Sequence, residues 1–138
     1  MSEFAINAAL VRAWQGAGLA YPTAYEGKAF TPEQGKPWAA LYLLPAGTMP
    51  AAIGAQAPLE HVGILQIDLN HPLDTGAPVM LKAADTVASR FTPGASFVFE
   101  GTKVNIERCA RSSIRRSEGW LTLSLSIRYR SWQHRVTP

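Results

Sequence analysis

An α+β domain, with two helices on one face of a mostly antiparallel sheet of about five or six strands, is predicted by three features of the sequence. Trp120-Leu-Thr-Leu-Ser-Leu-Ser-Ile-Arg-Tyr-Arg130 places Leu121, Leu123, Leu125, Ile127 and Tyr129 at every second position. Strand side chains alternate between faces, so this segment buries one row and wets the other. The stretch after Pro78 instead repeats at helical spacing, with Val79, Ala83, Val87 and Phe91 four apart and Met80, Ala84 and Ala88 beside them. The order of predicted elements, α-β-β-β-α-β-β-β, ends in adjacent strands that need only short antiparallel connections.

Ser2 and Glu3 suit a helix start, and Phe4, Ile6, Leu10, Val11, Ala13 and Trp14 form an apolar stripe that Gly16 and Gly18 terminate. This predicts a helix over 3–16. Leu19 to Tyr25 reads as a short strand that Pro22 confines to an edge, because proline donates no ladder hydrogen bond. After a loop from Gly27 to Pro37, Trp38 to Leu44 reads as a strand apolar on both faces and so buried on both. Pro45 to Pro58, uncharged and rich in Ala, Pro and Gly, reads as a long loop whose Met49 and Ile53 suit contact with a neighbour.

Glu60 to Leu69 is the next strand, with Gly63, Leu65, Ile67 and Leu69 on one face and Val62, Ile64, Gln66 and Asp68 on the other. Asn70 to Ala77 reads as a turn, and Pro93-Gly94 stops the second helix. Phe97 to Glu100 and Lys103 to Arg108 bracket a hairpin at Gly101-Thr102. Cys109 to Gly119 reads as a basic connection to the closing strand, and 131–138 as a poorly ordered tail.

The 138 residues are one domain's worth, 1–138. The single Cys109 excludes an internal disulfide and a cysteine-rich zinc site, and the first residues lack the layout of a secretion signal. Trp38 to Leu59 carries no charge over 22 positions, but Pro45, Pro50 and Pro58 would break a membrane-spanning helix there. The net charge of +3 is unevenly spread. Residues 101–138 hold eight Lys/Arg against two acids, a net +6, and residues 1–100 hold five against eight, a net −3. Such an asymmetry orients a domain against an acidic partner or a second copy.

Catalytic chemistry finds no constellation to stand on. Cys109 lies among arginines that would lower its pKa, but no histidine is near in sequence. Asp68, Asn70, His71 and Asp74 resemble a calcium loop only until Leu73 and Val79 occupy the positions that require glycine and a bidentate glutamate. No glycine-rich phosphate loop follows a strand, so no cofactor, no metal and no enzymatic activity are expected. Arg108, Arg111, Arg115, Arg116, Arg128 and Arg130, interleaved with Trp120, Tyr129 and Trp132, admit a nucleic-acid-binding reading, although no recognition motif accompanies them and Tyr129 lies in the buried row.

The layout Trp38…Leu43-Leu-Pro45, Gly63-Ile-Leu-Gln-Ile-Asp68, Ala83-Ala-Asp85…Phe91, Val104-Asn-Ile106 and Leu121…Ile127-Arg-Tyr129 resembles the lambda-type phage tail terminator proteins over about residues 1–132. The resemblance implies a non-enzymatic subunit that forms a six-membered ring on the finished tail tube, stops tube growth and offers the surface to which the head joins. It implies other copies of the chain, the tail tube protein and a head-completion protein as partners, with monomers in solution, and host cytoplasm and then the virion tail as locations. Membrane contact is not expected, and contact with DNA would be non-specific. Another head–tail connector or minor tail protein, and a basic nucleic-acid-binding domain, are the alternatives. Met49 and Ile53 in the 45–58 loop, Arg111, Arg115 and Arg116 in the 109–118 loop, and Arg128 and Arg130 on the wet face of the closing strand are the candidate protein-contact residues.

Overall fold

The computed structural model describes residues 2–50 and 58–133. Helix α1 (Ser2–Gln15) is followed by β1 (Thr23–Ala24), β2 (Trp38–Pro50), β3 (Leu59–Pro72), α2 (Ala77–Arg90), β4 (Ser96–Phe99), β5 (Thr102–Arg111), β6 (Arg115–Ser117) and β7 (Trp120–Gln133). The strands form one sheet in the order β1-β2-β3-β7-β5-β4, with β6 also paired to β7. Every pairing is antiparallel except β1 with β2. The α+β class and the mostly antiparallel sheet are therefore as predicted, with one strand more than expected.

β7 is the spine. It pairs along its whole length with β3, from Leu59 opposite Gln133 to Pro72 opposite Trp120, and along its other edge first with β5 and then with β6. Its row Leu123, Leu125, Ile127 and Tyr129 is buried, as are Leu65, Ile67 and Leu69 of β3 and Val104 and Ile106 of β5. Both helices lie over that row. Ile6, Ala9, Leu10, Ala13 and Trp14 of α1 and Met80, Ala83, Ala84 and Val87 of α2 close the core with Phe91. Val79, assigned to the α2 stripe from its spacing, is 52% exposed; the buried stripe runs through Met80 instead. Arg90 joins the two helix ends by donating from Nε to the Ala13 carbonyl at 3.1 Å, its guanidinium lying 5.0 Å from the Phe97 ring centre.

The differences from expectation concentrate at strand ends. Of the strand expected over Leu19 to Tyr25 only Thr23–Ala24 pairs, at the sheet edge, where the Pro22 carbonyl accepts from Ala39 N. Tyr21 Oη meets His71 Nε2 at 2.9 Å and holds the rest of that segment against β3. Residues 45–50, expected as loop, belong to β2, which passes a register shift between Pro45 and Gly47 and then pairs to Leu59. A bulge beside a proline at a free strand edge costs no ladder hydrogen bond. β3 takes in Asn70–Pro72 from the expected turn, and Arg115–Ser117 of the expected connection is β6. The hairpin turns lie at Glu100-Gly101 and Glu118-Gly119, where all four residues have positive φ, the backbone of the tightest hairpin turns. Ser131–Gln133 belong to β7 rather than to a loose tail, and Ser131 is buried with its Oγ donating to the Lys103 carbonyl at 2.7 Å. Residues 134–138 of the expected tail lie outside the described residues.

Candidate interaction surface

Because both helices cover one face, the opposite face of the sheet is open. β2 contributes Trp38, Ala40, Tyr42 and Leu44 to it, β3 contributes Glu60, Val62, Ile64, Gln66, Asp68 and Asn70, and β7 contributes Trp120 through Trp132 at even positions. Tyr42 (41%), Leu44 (47%) and Ile64 (37%) are exposed large apolar side chains. This corrects the expectation that Trp38 to Leu44 is buried on both faces; only Ala39, Leu41 and Leu43 point to the core side.

Beside the apolar strip runs a line of alternating charge. Glu60 lies 3.0 Å from Arg130, Arg130 lies 3.4 Å from Glu107, and Glu107 lies 3.5 Å from Arg128. Glu107 lies two residues after Asn105, the partner of Arg130, and so faces this side by alternation, and the register shift between Ile106 and Arg108 sets Arg108 opposite Arg128 as well. The two arginines of β7 are thereby neutralised by carboxylates on both neighbouring strands. Their aromatic companions do not form a stacking platform: Tyr129 is buried on the helix side, Trp120 is 8% exposed, and only Trp132 stands open, 6.0 Å from the Arg130 guanidinium.

At the other end of the face, polar side chains hold one another. Ser124 Oγ and Gln66 Nε2 both donate to Asp68 Oδ1, at 2.6 and 3.0 Å, and Thr122 Oγ1 donates to Asn70 Oδ1 at 2.7 Å. Arg115 donates from Nη2 to Ser124 Oγ at 2.9 Å and from Nη1 to Ser112 Oγ at 3.2 Å. Trp38, Trp120 and Phe30 stack alongside, Trp38 and Trp120 edge to face at 5.8 Å and Phe30 5.4 Å from Trp38. Of these, Asp68, Asn70, Arg115, Trp38, Trp120 and Thr122 border a cavity of about 230 Å³ whose wall also includes Tyr42 and Glu118.

The contact residues proposed from sequence are thus partly gathered. Arg115, Arg128 and Arg130 share the open face. Arg111 ends β5 and donates to the Ser112 carbonyl at 3.1 Å, while Arg116 stands opposite Leu121 and so belongs to the helix side. Met49 is in β2, paired with Glu60, and Ile53 lies outside the described residues. Tyr42, Leu44, Glu60, Ile64 and Glu107 were not singled out from sequence; for Ile64 and Glu60 the two-residue alternation of β3 was the available signal.

Asp68 and Asn70 point to the open face and His71 to the core side, so the cluster that mimicked a metal loop does not converge. Among the described residues no group of three or more His, Cys, Asp or Glu side chains is placed to hold a metal. Burial pushes the His71 pKa below, and those of Tyr21 and Tyr129 above, their usual values. Burial also pushes the Cys109 thiol up, against the lowering expected from the neighbouring arginines, because Cys109 lies in β5 on the core side rather than in a loop. No helix among the described residues is long and apolar enough to cross a membrane.

Comparison with known proteins bears on this architecture. One solved structure, known by a sequence label alone, superposes on 100% of this chain and 99% of its own with a TM-score of 0.76 at 20% identity. A chain in the virion of a native gene transfer agent (GTA) particle superposes with a TM-score of 0.62 at 16% identity, covering 97% of this chain and 98% of its own. At such identities the likeness concerns the fold. No curated protein sequence matches the chain. The family model described as phage tail terminator protein matches residues 4–129, from α1 to the buried end of β7, and the chain accordingly belongs to the phage tail terminator family, as a structural protein of the phage tail.

Proposed function

We propose that this chain caps the phage tail tube as a ring of identical copies, ends tube polymerisation and provides the surface that the head joins. The observation that carries the reading is the sheet covered by helices on one side only, whose other side presents Tyr42, Leu44 and Ile64 beside a patterned line of charge. An exposed apolar patch with a polar rim is what a protein-contact surface looks like. A closed ring needs two different complementary surfaces on each copy, and the helix face and the open sheet face differ in this way.

In this reading the chain works by shape and charge and performs no catalysis, and needs no cofactor. Its partners are other copies of itself, six on the tail, together with the tube protein and a head-completion protein. Met49, Ile53, Arg111, Arg115, Arg116, Arg128 and Arg130 serve the contacts, and the protein passes from the host cytoplasm to the virion tail. The internal pairing of Arg128 and Arg130 weighs against a nucleic-acid-binding role, since paired arginines displace few counterions from DNA.

Electron microscopy of the purified protein, with and without tail tubes, tests the proposal. Rings at tube ends, and tubes of uncontrolled length in particles lacking the gene, are expected. Normal tail length without the protein would refute it.

A further inference from the structure

We infer that the cavity at the Trp120 end of the open face receives one basic side chain from a neighbouring copy of this chain. The inference rests on the ring reading above and gives its subunit contact a chemical identity.

Three observations point to a cation. The ionisable groups around the cavity are Asp68, Glu118 and Arg115, an acidic balance in a protein of net charge +3. Asp68 makes no ion pair among the described residues, and both of its hydrogen bonds fall on Oδ1, which leaves Oδ2 for a charged donor. Arg115 reaches Asp68 only through the Ser124 hydroxyl, while its other amino group is held by Ser112. The aromatic rings of Trp38, Tyr42 and Trp120 also border the space, and the negative face of such a ring attracts a cation.

The occupant follows from complementarity. In a head-to-tail ring the open face of one copy meets a different surface of the next, which here includes the helix side. On that side Lys82 of α2 and Arg116 of β6 are exposed and make no ion pair among the described residues. The same chain therefore carries an acidic, aromatic receptor on one face and unpaired basic side chains on the other.

Two measurements test this. In the first, acetyl-arginine amide is titrated into the purified protein while the indole N–H signals of Trp38 and Trp120 are followed by NMR. Saturable shifts on the order of millimolar are expected, absent with acetyl-norleucine amide and weakened at least about tenfold in Asp68→Asn. In the second, ring formation on tail tubes is compared for the wild-type protein, Asp68→Asn, Lys82→Ala and Arg116→Ala, each first checked for an unchanged thermal melt. Asp68→Asn and one of the two basic variants should each lose capping at least about tenfold, and exchanging the charges (Asp68→Lys with Lys82→Asp or Arg116→Asp) should restore it. Capping unaffected by Asp68→Asn, or no response of either indole to arginine amide, overturns the inference and leaves the ring reading standing. Failure of the wild-type protein to form rings at all removes the ring reading, and with it a second copy as the occupant.

Discussion

Replacing Gly63 with alanine would put a methyl group where the fold has no room. Gly63 and Tyr129 face each other across β3 and β7 on the core side, and the tyrosine ring lies over the glycine. A Cβ at Gly63 would press against Tyr129 Oη, 2.7 Å from its Cζ and 2.8 Å from the Leu44 carbonyl oxygen. Tyr129 is 2% exposed, so its ring cannot swing into solvent, and Leu44 is held within the β2–β3 ladder. Overpacking a core costs about 1–3 kcal/mol, and removing a glycine from the unfolded chain returns about 0.4–1 kcal/mol. With backbone and buried ring both in the way, a net loss of about 2 kcal/mol is expected, or about 6–10 °C in Tm for a domain of this size. Urea unfolding followed by circular dichroism should show a lower midpoint with an unchanged slope. Tyr129→Phe removes the nearest atom but leaves Cζ, so in the Gly63→Ala background it should recover about 0.5–1 kcal/mol relative to additivity. A neutral Gly63→Ala variant, or strict additivity of the two changes, would refute the packing argument.

His71 makes stability depend on pH: its folded pKa is held below the usual 6.5 by burial, so the unfolded chain takes up the proton first. Unfolding free energy should be full above pH 6.5, fall as the pH drops through that value toward the lower folded pKa, and lose this slope in His71→Gln, as urea titrations at stepped pH will reveal. Neutralising Glu60 and Glu107 together (to Gln) should change stability by no more than about 1 kcal/mol, because these pairs are at least partly exposed. The same change frees two arginines, and DNA binding in a filter assay should strengthen with a log–log salt slope steeper by about 1–2. Cys109, with its thiol pushed up by burial, should react with iodoacetamide at pH 8 at least about tenfold more slowly than the same cysteine in urea.

How much of this was legible before the structure varies with the physics of each element. β3, β7 and α2 announce themselves because burial on one side writes a period of two or of nearly four into the chain. β2 misleads for an informative reason: Tyr42 and Leu44 are apolar although they face outward, so a contact surface imitates a core. Pro45, Gly47 and Pro50 read as loop because turn chemistry is local, whereas their place in β2 depends on the long-range ladder with β3. β6 is three polar residues whose pairing exists because β7 extends past the end of β5. The charge line draws Glu60, Glu107 and the β7 arginines from three strands, and no sequence spacing brings them together. Arg111, Arg115 and Arg116 were grouped by proximity in sequence, and strand alternation then sends Arg115 and Arg116 to opposite sides.

The position of β7 also governs when the protein can exist at all. The strand that separates β3 from β5 is translated after the other eight elements of the described residues. Until residues 120–133 have been translated, the two halves of the sheet have no shared neighbour and most of the helix-facing apolar row lacks its middle. Pairings of such long sequence separation form slowly. A chain that stops short of β7 therefore lacks the middle strand of the open face, and only one translated through residue 133 presents that face whole.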